Sequence, residues 1–327
     1  MKAKQPMVSV VTPCHNSEKY IGKLLDSILA QSWPNVEMYT IDNESSDSTA
    51  EIIQTYIPKF KEKGYCLTYV HQKDVGPSAG LQTGLNLIHG EYLVCPDSDD
   101  YYINDKCFER AIQTFNQLSD DYAMVRWLLN DINEDNGMVT QVLGEESSHL
   151  DGSTYFDDCL FGRNGWYYVT IGFMFNVAKL KQISDLKIYT YYYSGPNRQL
   201  TLPLLYKYQC YTIKEPLAVY LTRQNSESHG GYAKYHIRKS LYKQSELYFD
   251  GIFSQIPEMP IDKKIAYKRQ FMQMSTISII DVAIRAGKVL DILKYRLRLQ
   301  KYGGSSFKND LSLLKKVVKI MLKKKYC

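Results

Sequence analysis

Asp97-Ser98-Asp99-Asp100 crowds three carboxylates into four residues, after the apolar run Tyr92-Leu93-Val94-Cys95 and Pro96. In an extended chain, side chains two apart share a face, so Asp97 and Asp99 are expected on one side. Carboxylates that close repel unless a cation lies between them, and their hard oxygens suit Mg²⁺ or Mn²⁺. Such a cation keeps positions for phosphate oxygens and would act as Lewis acid and template for a diphosphate leaving group. Two further polar clusters could share the work: Cys14-His15-Asn16, and Asp42-Asn43-Glu44-Ser45-Ser46-Asp47.

The elements that must position these clusters are legible from periodicity. Met7 to Thr12 is a short, β-branched run closed by Pro13 and reads as a buried strand. Glu18 to Gln31 sets Ile21, Leu24, Leu25, Ile28 and Leu29 at helical spacing, with Ser17 as N-cap. Val36 to Ile41 and Leu67 to Val70 read as strands, each followed by a helix, at Ser48 to Phe60 and Ser78 to Ile88; Glu91 to Cys95 is the fourth strand. Alternating strand and helix predict a parallel sheet with helices on its faces. Ligands of such sheets sit beyond the carboxyl ends of the strands, where all three clusters fall.

From Asp120 to Glu227 the chain is Tyr-rich, with strands expected at Tyr122–Leu129, Tyr167–Asn176 and Thr212–Thr222 and short helices near Thr154–Leu160 and Leu200–Tyr208. Beyond Gly231 long helical patterns take over. There, residues 231–327 hold 21 Lys and Arg against 7 Asp and Glu, a balance of +14; the whole chain is only +5, so residues 1–230 carry −9. A split of this kind points the basic part at an anionic surface. The seven cysteines form no C-x-x-C pair and read as free thiols. The chain opens without a secretory apolar stretch and has no window of about 18 uninterrupted apolar residues, so a cytoplasmic protein is expected.

Three blocks together are specific. Val8-Ser9-Val10-Val11-Thr12-Pro13-Cys14-His15-Asn16, Ile41-Asp42-Asn43-Glu44-Ser45-Ser46-Asp47-Ser48-Thr49, and Gly90-Glu91-Tyr92-Leu93-Val94-Cys95-Pro96-Asp97-Ser98-Asp99-Asp100 resemble the sequence blocks of the family 2 glycosyltransferases. The resemblance implies an α/β GT-A domain, Rossmann-like with a mixed, mainly parallel sheet, over about residues 1–230; the basic helical region over 231–327 is read from charge and periodicity and lies beyond it. The resemblance divides the first part into a nucleotide-sugar half, to about residue 118, and an acceptor half. It further implies inverting transfer from a nucleotide-diphosphate sugar, with UDP expected, to a saccharide hydroxyl. Pro13, with His15 and Asn16 after it, would line the base pocket. Asp42 would accept from uracil, Asp97 and Ser98 would lie at the donor, and Asp99 would bind metal and diphosphate beside Asp100. Asp97 and His229 are further candidate metal ligands.

The departures are specific too. Glu44 stands where the family commonly has glycine, which predicts a differently shaped loop. Gly80-Leu81-Gln82 aligns with a usual Ala-Arg-Asn, leaving Gln82 as partial substitute for a donor-binding arginine. Where relatives carry an acidic base, this chain has Asn197, and an amide is no general base. Asn197 and Gln199 are therefore expected to position hydroxyls; Asp185, Glu215 and His229 are the remaining candidates for the base.

Leu311 to Lys325 can form a helix with Leu311, Leu314, Val318, Met321 and Leu322 on one side and Lys315, Lys316, Lys319 and Lys323 opposite. A basic amphipathic helix predicts peripheral binding at the inner face of the cell membrane, suited to an acceptor on a polyprenyl diphosphate lipid. Nucleic acid is not expected as a partner, for lack of a reading motif; self-association is compatible with the sequence. Two rival functions share some of these features: a sugar-1-phosphate nucleotidyltransferase, and a donor-binding partner subunit without turnover.

Overall fold

The computed structural model describes residues 5–147, 155–190, 195–223 and 234–303. The chain divides into two units, Met1–Arg223 and Gln224–Cys327.

In the first unit the alternating pattern folds as expected. Strands β1 (Val8–Cys14), β2 (Val36–Asn43), β3 (Cys66–Gln72) and β4 (Tyr92–Val94) are parallel neighbours in the order β3-β2-β1-β4. Helices α1 (Ile21–Leu29), α2 (Thr49–Lys63) and α3 (Pro77–Leu85) connect them. β1 and β2 are buried almost throughout, as a strand covered on both faces must be. Close packing of α3 on β1 depends on Gly84, where a Cβ would lie 2.2 Å from Val11 Cγ1. The chain runs outward from β1 to β3 and then returns to the other side of β1 as β4. This reversal is a topological switch point and opens a crevice at the carboxyl ends of β1 and β4.

The sheet continues through β5 (Tyr101–Tyr102), β6 (Tyr122–Asn133), β7 (Val139–Leu143), β8 (Phe173–Asn176) and β9 (Gln209–Thr222), giving, among the described residues, nine strands in the order β3-β2-β1-β4-β8-β6-β9-β5 with β7 on β6. β8 is antiparallel to both β4 and β6, while β9 runs parallel to β6. Two reversals restore direction, so β6 and β9 run parallel to β1 and end at the same edge. Helices α4 (Cys107–Gln117), α5 (Tyr155–Phe161), α6 (Val177–Ser184) and α7 (Asn197–Lys207) complete the unit. The strand expected over Tyr167–Asn176 is shorter, because Thr170–Gly172 turns as a 3₁₀ helix first.

The second unit is helical: α8 (Tyr235–Ser254), α9 (Ile261–Arg285) and α10 (Val289–Lys301). Tyr242, Met272, Ile279, Ala283, Ile292, Tyr295 and Leu299 form its core. Among the described residues, no helix is long and apolar enough to cross a membrane. The tail helix expected over Leu311–Lys325 lies outside the described residues.

Candidate active site

The three polar clusters meet at the switch-point crevice and are tied to one another. The Asn16 N–H donates to Ser45 Oγ at 2.9 Å, and Asn16 Oδ1 accepts from the Ser46 N–H at 2.8 Å. His15 Nδ1 lies 2.6 Å from the Asn43 carbonyl, which can only accept, so that nitrogen carries the proton; Nε2 then accepts from Asn16 Nδ2 at 3.2 Å. Ser17 does not cap α1 with its side chain: its hydroxyl pairs with Ser98 Oγ at 2.7 Å, and its N–H donates to Thr49 Oγ1. The loop after β1 thus holds the loop after β2 with one hand and the acidic turn with the other.

Glu44 adopts φ +57°, the left-handed conformation that glycine takes without strain. At this residue the backbone takes a conformation that glycine would adopt at lower cost, and the glutamate bears the strain. Asp42 is 1% exposed; Oδ1 accepts from the Ser45 N–H at 3.0 Å and Oδ2 from the Tyr69 hydroxyl at 2.7 Å. Burial, then Asp42 and Asp47, push the Cys14 thiol up to about 12, so it stays protonated. Pro13 lies against α3: a Cβ on Gly80 would come within 3.0 Å of it.

The acidic residues do not continue the extended geometry of β4. The chain turns, the Asp100 N–H donating to the Asp97 carbonyl at 3.2 Å, so the expected shared face of Asp97 and Asp99 is replaced by a turn. Asp97 is exposed, Asp99 half-buried, and Asp100 is 1% exposed. Asp100 Oδ1 accepts from the Leu221 N–H at 3.1 Å; among the described residues, Oδ2 is buried without a hydrogen-bond partner. Burial, then the charges of Asp99 and Asp97, raise the Asp100 carboxyl well above the usual carboxylate range. Its place is inside the turn.

Asp97 and Asp99 offer the hard oxygens that Mg²⁺ or Mn²⁺ takes, yet among the described residues no three His, Cys, Asp or Glu side chains gather closely enough to hold an ion. The arrangement fits a cation completed by substrate phosphates, the usual mode of Mg²⁺ binding. His229 lies outside the described residues.

Other expected residues are engaged with backbone. Gln82 Oε1 accepts from the Ile188 N–H at 2.8 Å and Nε2 donates to the Leu186 carbonyl at 3.1 Å, clamping the segment after α6. Gln199, 1% exposed, holds Tyr189 through both its N–H and its carbonyl and donates to the Gly195 carbonyl. The expectation that it positions a substrate hydroxyl meets a side chain turned inward to brace two loop ends. Asn197 donates its amide to the Tyr168 carbonyl. Asp185 is exposed at the end of α6, 3.5 Å from Lys187, and Glu215 pairs with Arg110 of α4.

Sequence reasoning missed Arg223. It follows β9 directly, and its guanidinium pairs with Asp99 and lies 4.6 Å over the Tyr20 ring. Tyr20 in turn donates to Glu134 Oε1 at 2.5 Å, just beyond β6. The rule that flagged the first three clusters would have flagged these: Glu134 and Arg223 are polar residues at the carboxyl ends of two more strands of the same direction.

Comparison with known proteins agrees with this architecture. The model described as glycosyl transferase family 2 matches residues 9–183. An uncharacterized glycosyltransferase of Haemophilus influenzae is 38% identical over 101 residues, 31% of this chain and 39% of that protein. The putative teichuronic acid biosynthesis glycosyltransferase TuaG of Bacillus subtilis is 35% identical over 102 residues, 31% of this chain and 39% of its own length. The matched stretch thus covers well under two thirds of these relatives. Among solved structures, Staphylococcus aureus TarS 1-349 in complex with UDP-GlcNAc superposes with a TM-score of 0.63 at 17% identity, over 92% of this chain and 93% of that one. Mannosyltransferase PcManGT of Pyrobaculum calidifontis, in complex with GDP-Man and Mn²⁺, gives 0.52 at 13% identity, over 98% and 89%. These likenesses show a GT-A fold.

Proposed function

The chain belongs to glycosyl transferase family 2, and on that premise we propose that it transfers a sugar, with inversion, from a UDP-sugar to a saccharide hydroxyl in surface polysaccharide assembly. The observation that carries the reading is the single edge formed at the switch point, where Asp42, the Asn16 loop and the acidic turn are bonded together. Asp42 and the loop after Pro13 would receive the base, and Asp97 and Ser98 the ribose side of the donor. Asp99, with Asp97, would hold Mn²⁺ or Mg²⁺, which when bound neutralises the diphosphate leaving group. The teichuronic acid relative and the UDP-GlcNAc complex of the structural neighbour support the choice of polymer class and of UDP.

The acceptor is proposed to ride on a polyprenyl diphosphate lipid at the inner membrane face. The basic sequence of residues 311–325 supports this, as do Leu290, Leu293 and Leu297 of α10, which stand 83%, 44% and 68% exposed beside the exposed Lys294, Arg298 and Lys301. Spacings of three and four place the leucines on one helix face, suited to an interface with anionic lipid.

The test is nucleoside diphosphate release from a panel of UDP- and GDP-sugars with lipid-linked saccharide acceptors, with and without chelator, for the wild type and Asp99→Ala. Transfer is expected from one UDP-sugar and is expected to vanish in both controls; turnover indifferent to chelator and to Asp99→Ala would remove the cation from the reading. A second reading, donor binding without turnover, draws on Asn197, whose amide is tied to the Tyr168 carbonyl where an acidic base is expected. Tight donor binding with no transfer to any acceptor, beside an active partner transferase, would select it.

A further inference from the structure

Arg223 places a guanidinium on the very carboxylate proposed to take a cation. Nη2 donates to Asp99 Oδ2, in a pair whose side chains are 26% and 16% exposed. The guanidinium lies on the Tyr20 ring at 4.6 Å, and that ring is fixed by its hydroxyl bond to Glu134. Among the described residues, Arg223 Nε is buried without a hydrogen-bond partner. A guanidinium seated for structural purposes alone would be expected to use its fork fully, because an orphaned buried N–H is costly. Here the fork is partly spent, beside a turn of three carboxylates, in a crevice proposed for a diphosphate. Phosphate is the acceptor that a guanidinium fork fits in bidentate fashion.

We propose that Arg223 is a placeholder for the cation: it holds Asp99 in the donor-free protein and passes to the donor diphosphate when nucleotide and cation arrive together. The inference rests on the nucleotide-diphosphate reading of the site. A cation approaching alone meets the positive charge of Arg223, and a diphosphate approaching alone meets Asp97, Asp99 and the negative field of the turn. Arriving together they resolve both conflicts, since Asp99 is left to the cation and the diphosphate takes the guanidinium. Binding of the two ligands is then mutually strengthened, and by linkage each raises the affinity of the other by the same factor.

The experiment uses the full chain. Mn²⁺ binding is followed by electron paramagnetic resonance with Mn²⁺ alone and with saturating UDP or GDP, and nucleotide binding by calorimetry with and without Mn²⁺. In the wild type, Mn²⁺ alone is expected to bind weakly and to tighten about tenfold or more with nucleotide, within the usual range of coupling between sites. Arg223→Gln is expected to bind Mn²⁺ alone about tenfold more tightly, to bind nucleotide more weakly at saturating Mn²⁺, and to lose most of the coupling. Arg223→Lys keeps the charge without the fork: Mn²⁺ alone stays weak while nucleotide affinity falls, a split that a purely structural pair would not produce. Thermal melting checks folding; if Arg223→Gln does not fold, Arg223→Lys and Tyr20→Leu carry the test. Nucleotide binding to the wild type with Mn²⁺ affinity unchanged in Arg223→Gln would overturn the placeholder and leave the donor reading standing. Failure of both nucleotides to bind the wild type, with or without Mn²⁺, would overturn the donor reading and the placeholder with it.

Discussion

Two carboxylates lie buried at opposite ends of the same parallel strands, and they are treated in opposite ways. Glu37, 6% exposed near the start of β2, accepts from Ser9 Oγ at 2.5 Å, the His89 and Gly90 N–H groups at 2.6 and 3.1 Å, and the Tyr39 hydroxyl at 3.1 Å. Burial alone would raise its carboxyl, but these donors, led by Ser9, bring it below the ordinary value. Asp100, at the carboxyl end, accepts from the Leu221 N–H, has one oxygen orphaned among the described residues and two acidic neighbours, and its carboxyl is raised. One end of the sheet spends its polar groups on holding β1, β2 and the start of β4 in register. The other leaves negative charge in excess, which a ligand can relieve.

The contrast is broken most directly by removing one carboxylate from each end. Asp99→Asn is expected to lower the transfer rate by about 10² to 10³, the scale of losing one electrostatic stabiliser of a developing charge. Its effect on stability should be about 1 to 2 kcal/mol, because asparagine keeps an acceptor oxygen for Arg223 while the charge of a mostly buried pair is lost. Initial rates and urea unfolding on the same preparations check the two halves of the statement. Glu37→Gln reverses the pattern. An amide keeps one oxygen for Ser9, His89 and Gly90 and turns its NH₂ toward the Tyr39 hydroxyl, but it gives up the charge that strengthened these bonds, so unfolding should become easier by about 1 to 2 kcal/mol while donor affinity, measured by calorimetry, stays near wild type.

The sign of the pH dependence sharpens it further. The Glu37 carboxyl is lowered on folding, so its stabilisation is fully present above the unfolded value of about 4.3 and is lost as pH falls through the folded value. The gap between wild type and Glu37→Gln should therefore close in acid. The Asp100 carboxyl is raised on folding, so its ionised form opposes folding at neutral pH and protonation relieves the cost. Asp100→Asn is expected to stabilise the cation-free protein by about 1 to 2 kcal/mol at pH 8, with the gain shrinking toward pH 4. Denaturant midpoints across about pH 2 to 8 decide between the slopes, the Glu37 window lying below about 4.3 and the Asp100 window above about 3.9; parallel slopes for the two variants would dissolve the distinction between the ends.

What was legible in the sequence follows the same division. The strands β1 to β4 are short, largely apolar runs with strong stops, so their succession and the edge that carries the polar clusters could be read directly, while the order β3-β2-β1-β4 came only with the structure. The joining of the clusters could be read only as a common edge, since the Ser17 to Ser98 bond spans two loops that no periodicity connects. Arg223 was missed because its meaning depends on β9 being parallel to β1, which is settled by two antiparallel pairings through β8, far away in sequence. Gln199 and Gln82 looked like ligand contacts because a buried amide and a substrate-facing amide share one residue type. Only the partners, Tyr189 and the backbone at Leu186 and Ile188, tell them apart.

The smallest effect belongs to Glu44. A left-handed conformation costs a non-glycine residue about 1 to 2 kcal/mol, and glycine returns about 0.5 to 1 kcal/mol of that through the greater freedom it loses on folding. Glu44→Gly should therefore stabilise the protein by about 0.5 kcal/mol, less whatever the Glu44 contact with the Asp74 N–H at 3.3 Å contributes. Because the loop already holds the shape that glycine favours, nucleotide affinity should be unchanged. A shift in nucleotide affinity without a gain in stability would mean that the Glu44 side chain, rather than its backbone, is what the donor end of the sheet retains.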